Sequence, residues 1–474
     1  MSLVDMSKLP DLTPLLSPRS IAVLGASNDT QKVGGMPIRL LRENNFEGAI
    51  YPVHLQSKEI QGLRAYPSLM DIGSSIDLVI IALPAAACES AFVQVCASGA
   101  RAAIILSSGF AETSPSGAAM QKRLAQQAQA SEVLVLGPNC LGAMNLRRKV
   151  FSTFSPMALG GGPPPGRVAL VSQSGAFGGY AFSMAKKQNL GLSHWITTGN
   201  EAGVQVADAV QWLAADPDTD QILVYMEGTR DMSKLRAALQ ATKSADKPVV
   251  LMKVGTTEAG RRAALAHTAT DTGDEAEFSA LFDEFGVHRV STLSDLIRIS
   301  HVLNFRKTRS LRIEEPSPQA TALLSISGGA GIMMADRAHL LGLDLPAFPP
   351  AASQRLKEAI PFSSTINPID VTGQVFSQPE TLICAIEDAA ACSQYANMVI
   401  FLAGAALIQT FWFKLESCLS GISMRFPEMR IVLSGIVSDD QKHWLESHRF
   451  LVSDDPVDAV DAVALLSGRQ LPYM

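Results

Sequence analysis

The chain has 474 residues, 47% of them hydrophobic and 18% charged, with a formal net charge of -6; that length exceeds one hydrophobic core and suits about three domains. The mild acidity and the absence of a basic stripe argue against a nucleic-acid surface. Cys88, Cys96, Cys140, Cys384, Cys392 and Cys418 form no CxxC pair, so the usual zinc or iron–sulfur spacing is missing, no metal site is expected, and free thiols in a reducing cytoplasm are the simplest account.

The N-terminal MSLVDMSKLPDLTPLL lacks a signal-peptide core. The apolar run Ser20–Leu24 then ends at Gly25-Ala26-Ser27, and a loop through Gly34-Gly35 leads to a helix pattern over 38–42. Strand, glycine turn and helix in that order open a nucleotide-binding α/β unit. Further strands are predicted at Ala49–Val53, 78–82, 102–106 and 133–136, with helices over Ala85–Ala97 and 116–130. This alternation predicts a parallel, doubly wound sheet with right-handed crossovers. Small-residue or proline turns follow the strands at 25–27, 84–86, 107–109 and 137–142 and would line one sheet edge, where a ligand is expected. Gly25 does not open a GxGxxG, and the second strand runs into Tyr51-Pro52-Val53-His54 without a terminal acid. The ligand expected is therefore a phosphate-bearing nucleotide other than NAD.

The segment GGGPPPG at 160–166 stiffens and then releases the chain, and a domain boundary is placed there. A second α/β unit begins with RVALV at 167–171 and turns through SQSGA at 172–176 into a helix over 180–187. Residues 174–178 form a helix N-terminus, whose unpaired N–H groups and dipole favour an anion. Strands at 193–197 and 222–226 follow, with a helix over 206–214 between them, and Glu227 stands just past the second strand. After a strand at 248–253 comes GTTEAGRRAALAHTATDTG at 255–273, read as a polar loop carrying His267, and then a helix over 276–285. A neutral imidazole at a strand end can attack phosphorus or a carbonyl, and a carboxylate such as Glu227 can hold its other N–H.

A helix over 295–304 and a solvated linker over 306–318, including RKTRSLR, lead to a third unit. Its strand at 322–326 turns through SGGAG at 327–331 into a helix over 332–341, a second candidate anion site. NPIDVTG follows at 367–373. The apolar passage YANMVIFLAGAALIQTFWF at 395–413 is nearly membrane length, but Asn397, Gly404 and Gln409 fit a buried strand followed by a helix better than a span. A strand at 430–433 and a helix over 457–466 close the chain.

Taken in order, SPRSIAVLGAS, PVxxxxxEIxG (52–62), GPNCLG (137–142), SQSGA, GNEA (199–202), EG (227–228), AHT (266–268), SGGxG and NPIDVTG make the chain resemble the NDP-forming acyl-CoA synthetases, relatives of succinyl-CoA synthetase, from about Leu15 onward. The resemblance implies an α/β chain with a Rossmann-like CoA-binding domain at 1–160, followed by two flavodoxin-like, succinyl-CoA synthetase-like domains with parallel sheets at 161–305 and 320–474, joined by a linker at 306–319. Carried over residue by residue, His267 matches the phosphohistidine and Glu227 its carboxylate partner. Ser174 and Gly175, with Gly328, Gly329 and Gly331, match the paired helix N-termini that receive the phosphoryl group. Gly25, Ala26, Ser27, Pro52, Val53, Pro84, Ser107, Gly109, Asn139 and Cys140 are the candidate coenzyme A positions. Two departures stand out. His54-Leu55-Gln56 replaces the family's Asn-Pro-Lys, with Lys58 as a substitute cation, and Ala269 stands where glycine is usual.

No ATP-grasp segment is recognisable in the chain. The expectation is an α subunit that interconverts acyl-CoA, phosphate and ADP with a small carboxylic acid, CoA and ATP through acyl phosphate and phosphohistidine. A separate ATP-grasp β subunit would hold ATP or ADP and Mg2+, giving a cytoplasmic hetero-oligomer with no nucleic-acid or membrane partner. The alternatives are a CoA-binding regulatory or scaffold protein, or an ATP-independent CoA acyltransferase on the same scaffold.

Overall fold

Runs of Ile, Val, Leu and Ala, several of them ended by a small-residue turn, build three larger sheets of mostly parallel strands. The computed structural model describes residues 10–268, 272–309 and 320–473, and the chain divides into two units between Ser300 and His301, inside the helix Leu293–Thr308.

The first unit holds two sheets. The first comprises β1 (Ser20–Leu24), β2 (Ala49–Val53), β5 (Leu78–Ile81), β6 (Ala102–Ile105) and β7 (Leu134–Leu136), and a small hairpin of β3 (Glu59–Ile60) and β4 (Leu63–Arg64) follows β2. Its order is β2-β1-β5-β6-β7, parallel throughout. The residues of β1, β5 and β6 are all buried, as expected of strands covered on both faces. The helix expected over 38–42 runs from Met36 to Glu43, with Pro37 in its first turn. Gly25 has φ +89°, and a Cβ on Gly34 would lie 2.0 Å from the Gly25 carbonyl oxygen; the turn after β1 thus admits no side chain at 34. The hairpin seals this turn, because Gln61 Nε2 donates to the Ser27 and Gly35 carbonyls, both at 2.9 Å.

The second sheet comprises β8 (Gly142–Asn145), β9 (Val150–Thr153), β10 (Pro165–Ser172), β11 (Leu192–Thr197), β12 (Gln221–Met226), β13 (Val249–Lys253) and β14 (His288–Arg289), in the order β14-β13-β12-β10-β11-β8-β9. All pairings are parallel except β11–β8 and β8–β9. The sheet therefore takes in strands that precede the boundary placed at 160. The edge of β11 left unpaired by β10 supplies the hydrogen bonds that β8 needs, so strand pairing begins at Gly142.

The polar loop expected at 255–273 is largely a helix, Glu258–Thr268. Its start is capped by Thr257, whose Oγ1 accepts from Gly260 N–H at 3.1 Å, and Glu258 pairs with Arg262 one turn on at 2.7 Å. Ala, Arg, Leu and Glu, all good helix formers, outweigh the polar look of the sequence.

The second unit holds β15 (Thr321–Ser325), β16 (Ile369–Asp370), β17 (Asn397–Ala403), β18 (Arg430–Gly435) and β19 (Phe450–Ser453), parallel in the order β16-β15-β17-β18-β19. The apolar passage at 395–413 divides, as read, into β17 and the start of the helix Gln409–Arg425. Among the described residues no helix is long and apolar enough to cross a membrane.

Two glycines separate steric need from flexibility. Gly34→Ala should destabilise the first unit by about 1–3 kcal/mol through forced overpacking. Gly421→Ala, inside the helix Gln409–Arg425 with nothing within 4 Å of the new methyl, should stabilise the second unit by about 0.5–1 kcal/mol. Urea unfolding of each variant measures both, and equal shifts of one sign would contradict the assignment.

Candidate functional site

Parallel strands deliver their carboxyl ends to one edge, and in the first unit the edges of both sheets share a cavity of about 290 Å³. From the first sheet come the turns after β6 and β7, through Ser108, Asn139 and Cys140. From the second come residues 173–176 after β10, Asn200 and Glu201 after β11, and Glu227 and Arg230 after β12.

The SQSGA turn builds the wall through three side chains. Ser172 Oγ donates to the Ser174 carbonyl at 2.7 Å. Ser174 is the N-cap of the helix Gly175–Lys187, its Oγ accepting from Phe177 N–H at 3.3 Å. That cap satisfies one of the helix's unpaired donors and leaves a dipole end facing the cavity. Gln173 reaches across to the next strand end, where its Oε1 accepts from Glu227 N–H at 2.5 Å and Gly228 N–H at 3.2 Å. Its Nε2 donates to the Gly228 carbonyl at 2.9 Å. The main chain beneath Glu227 is thus fixed by a side chain of the helix-start motif. Glu227 itself is 7% exposed. Burial, then the Glu227 charge, pushes the Tyr225 phenol up to about 12, and Phe177 stacks on Tyr225 at 4.0 Å.

A hydrogen-bonded hub closes the other side. Asn200 Oδ1 accepts from Asn139 Nδ2 at 3.2 Å, and its Nδ2 donates to Glu112 Oε2 at 2.5 Å and Gln121 Oε1 at 3.0 Å. Its carbonyl accepts from Arg230 at 3.2 Å and from Gln121 at 3.3 Å. Burial works against the Glu112 charge, but hydrogen bonds from Gly109 N–H, Asn200 and Phe110 N–H hold it below the ordinary glutamate value of 4.5. Glu201 shows the reverse: burial dominates and raises it, although Val206 N–H and Thr198 Oγ1 both donate to it.

Of the sequence-derived candidates, Asn139, Cys140, Ser174, Gly175 and Glu227 meet in this cavity. Cys140 is buried and its thiol pushed up to about 12 by desolvation, so it packs there as a thiol. Gly25, Ala26, Ser27, Pro52, Val53, Pro84, Ser107 and Gly109 are not among its lining residues. Pro52 and Val53 end β2, and the others lie in the turns after strands of the first sheet: Gly25 and Ala26 N–H donate to the Val53 carbonyl, Pro84 immediately precedes the helix Ala85–Ala97, and Ser107 Oγ donates to the Leu83 carbonyl. His54 has a local role, its Nδ1 accepting from Gln56 and Ser57 N–H at 3.2 and 3.1 Å, which closes the turn after β2 as a side-chain cap.

Gly328, Gly329 and Gly331 lie in the second unit, at the start of the helix Gly328–Leu340 that follows β15. Ser325 Oγ donates to the Ser327 carbonyl at 2.7 Å, repeating the Ser172–Ser174 arrangement. His267 falls at the end of the helix Glu258–Thr268, but its side chain and Ala269 lie outside the described residues. Among the described residues no group of three or more His, Cys, Asp or Glu is placed to hold a metal ion.

Gln173, Asn200, Glu201, Glu112 and Arg230 were not singled out individually from the sequence. The first three lie inside SQSGA and GNEA, which were. Glu112 and Arg230 carry no motif, and only the fold brings them to the site.

Residues 19–145 match the family model described as a CoA binding domain, and residues 165–303 that described as a succinyl-CoA ligase like flavodoxin domain. The chain is 35% identical over 367 residues to acetate–CoA ligase [ADP-forming] I of Archaeoglobus fulgidus, covering 77% of this chain and 51% of that protein. It is 32% identical over 357 residues to the subunit alpha of acetate–CoA ligase [ADP-forming] II of Pyrococcus furiosus, covering 75% of each. The chain thus spans about half the length of the Archaeoglobus relative and three quarters of the Pyrococcus subunit. The dinucleotide forming acetyl-coenzyme A synthetase 1 of Ca. Korarchaeum cryptofilum, solved in complex with phosphate and ADP, superimposes with a TM-score of 0.81 at 25% identity, covering 97% of this chain and 96% of that one.

The Glu112–Asn200 contact predicts a pH signature. A carboxylate whose folded value is depressed contributes stability that is present above its unfolded value near 4.5 and is lost as pH falls through the folded value. Glu112→Gln should therefore be less stable than the wild type at pH 7, and the gap should narrow as the solution is acidified through the depressed folded value. Urea titrations at pH 7 and along an acid series check this; a gap that widens on acidification would contradict it.

Proposed function

The chain belongs to the ADP-forming acetate–CoA ligase family, and from that membership we propose that it is the α subunit of an NDP-forming acyl-CoA synthetase, working with a separate ATP-grasp β subunit. The supporting observation is the shared cavity: the turn of a CoA-binding domain, a capped helix N-terminus and a buried carboxylate, Glu227, line one space.

In the direction of ATP formation, a phosphate oxygen attacks the thioester carbonyl of acyl-CoA, and the C–S bond breaks to release the CoA thiolate, which is protonated. A ring nitrogen of His267 then attacks phosphorus, and the P–O bond to the acyl group breaks, releasing the carboxylate. The phosphoryl group passes from His267 to ADP on the partner subunit, where Mg2+ is also expected. Glu227 takes the N–H of the other ring nitrogen, which keeps the attacking lone pair available and steadies the charge that forms on the ring. The dipole end at Ser174-Gly175 stabilises the phosphoryl oxygens, and positioning with such stabilisation supplies most of the catalysis of phosphoryl transfer. The helix holding His267 ends next to Ala269, so the histidine starts from a helix end. A cytoplasmic location fits six free cysteines.

The test mixes the chain with its ATP-grasp partner, Mg2+ and ATP labelled in the γ-phosphate. Acid-labile, base-stable label should appear on this chain and vanish in His267→Asn. Glu227→Gln should slow its appearance by ~10²-fold or more. Label surviving in His267→Asn would overturn the assignment of that residue. CoA binding without any label in the wild type would favour the regulatory reading instead.

A further inference from the structure

Lys253, the last residue of β13, is 4% exposed, and lysine is seldom buried without a paired acid. Its ammonium has two contacts among the described residues. Nζ donates to the Val254 carbonyl at 2.9 Å and stands 4.7 Å from the centre of the Phe278 ring. Burial pulls the ammonium below its ordinary value of 10.5; Glu275 works the other way, Arg289 and Arg261 add to the burial, and Glu227 favours the charge. The two contacts join the two ends of the segment that carries His267. At Val254 the chain leaves β13, and the Val254 N–H donates to the Met226 carbonyl at 3.0 Å, one residue before Glu227. Phe278 belongs to the helix Glu275–Phe285, where the chain returns. Arg289 holds that helix to β14, pairing with Glu275 at 2.6 Å and donating to Ser279 Oγ at 2.7 Å. The ends also touch directly: a Cβ on Gly255 would lie 2.6 Å from Thr272 Cγ2, and one on Gly273 2.8 Å from Phe278 Cε2. Both glycines are left-handed, with φ +71° and +72°, so neither position suits a side chain.

We propose that Lys253 is a positioning residue for phosphoryl transfer: it clasps the entry and exit of the His267 segment beside Glu227, so that the helix Glu258–Thr268 starts from a fixed root. An apolar stem with a cationic head suits this task, because the head serves a carbonyl at one end of the segment and a ring face at the other. A neutral side chain of the same length offers the stem alone. The chemistry makes the root matter, since misplacing a reacting group by about 1 Å can cost about 10²-fold in rate. The proposal rests on the ligase reading for its reaction, and on this chain's own contacts for the clasp.

The test compares Lys253→Met, which keeps the stem and loses the charge, with Lys253→Arg, which keeps both. In turnover of acetyl-CoA and phosphate with the partner subunit, Lys253→Met should lower kcat by about tenfold or more. Its KM for each substrate should stay at the wild-type value, because Lys253 does not line the cavity at Glu227. Lys253→Arg should recover most of the loss. A second readout needs no activity: Arg261 and Arg262 are exposed, and trypsin should cleave the full chain after them faster in Lys253→Met than in the wild type. Where Lys253→Met does not fold, Gly255→Ala loosens the same root through Thr272 and should give the same kcat and cleavage pattern. Unchanged kcat in a folded Lys253→Met, or a KM that rises in step with the fall in kcat, would overturn the positioning role. Failure of Lys253→Arg to recover the rate, or unchanged cleavage, would overturn the clasp. Faster cleavage in Lys253→Met, with no label on the wild-type chain in the partner assay, would sink the ligase reading and leave the clasp standing.

Discussion

The turn at 137–142 belongs to two sheets at once, and the geometry of the site depends on that. It is the carboxyl-end turn of β7 in the first sheet and the entry to β8 in the second. Thr197, at the end of β11, fastens it: its Oγ1 accepts from Leu141 and Gly142 N–H at 2.9 and 3.0 Å and donates to the Gly142 carbonyl at 2.9 Å. The loop after β11 adds main-chain bonds, Asn200 N–H to the Pro138 carbonyl and Ala202 N–H to the Gly137 carbonyl, both 2.9 Å. The approach is so close that a Cβ on Gly199 would lie 2.4 Å from the Pro138 oxygen, and Gly199 has φ +59°. Two α/β layers joined only by a linker would share no rigid cavity. Here the shared turn makes the wall from Asn139 and Cys140 continuous with the wall from Gln173 to Gly175, at the strand-end crevice where open sheets bind ligands.

Within that frame the site is an exercise in placing carboxylates. Three of them, Glu112, Glu201 and Glu227, lie in or beside the cavity, and each is held differently. Glu112 accepts main-chain N–H bonds strong enough to overcome its burial. Glu201 is buried deeply enough that its bonds do not. Glu227 has its backbone fixed by Gln173. The role proposed for Glu227, orienting an imidazole, requires a well-placed carboxylate, and the Gln173 amide steadies the main chain that carries it by holding the two consecutive N–H groups at 227 and 228.

How much of this was legible in the sequence follows from how local each feature is. β1 with its glycine turn, the SQSGA helix start and the strand that becomes β17 were all readable, because strand length, turn residues and capping are short-range properties. The helix Glu258–Thr268 was misread as a loop, since Thr, Arg and His read as polar irregularity while the Glu258–Arg262 pair and the Thr257 cap decide for helix. The pairing of β8 with β11 was not legible: His194 opposite Asn145 and Ile196 opposite Ala143 are separated by some fifty residues, and nothing in either segment names the other. Arg230 and Glu112 escaped for the same reason, as single charged residues that acquire a role only from what the chain brings beside them.

The second unit shows how far the same short motif can serve different local ends. Its SGGAG turn repeats the first unit's hydroxyl bridge, yet the groups beside the helix start differ. At Ser174–Gly175 the neighbour is the Leu141 side chain, whereas a Cβ on Gly328 would lie 3.2 Å from Asp370 Oδ2. A carboxylate beside a helix N-terminus is favoured by the dipole, so Asp370 already answers part of the field that an incoming phosphoryl group would use. Asp370 also accepts from Thr372 N–H at 2.8 Å, and Thr372 has φ +58° and ψ 175°, a region that suits glycine and is strained for threonine. Strain of that kind persists only where neighbours enforce it, and here the Asp370 carboxylate and the Thr372 Oγ1 bond to Gln374 N–H do so. An anion arriving at this turn meets a carboxylate and a backbone already under constraint, while one arriving at Ser174 meets a helix start capped by the Ser174 hydroxyl in a cavity that also holds Glu201, Glu227 and the exposed Arg230.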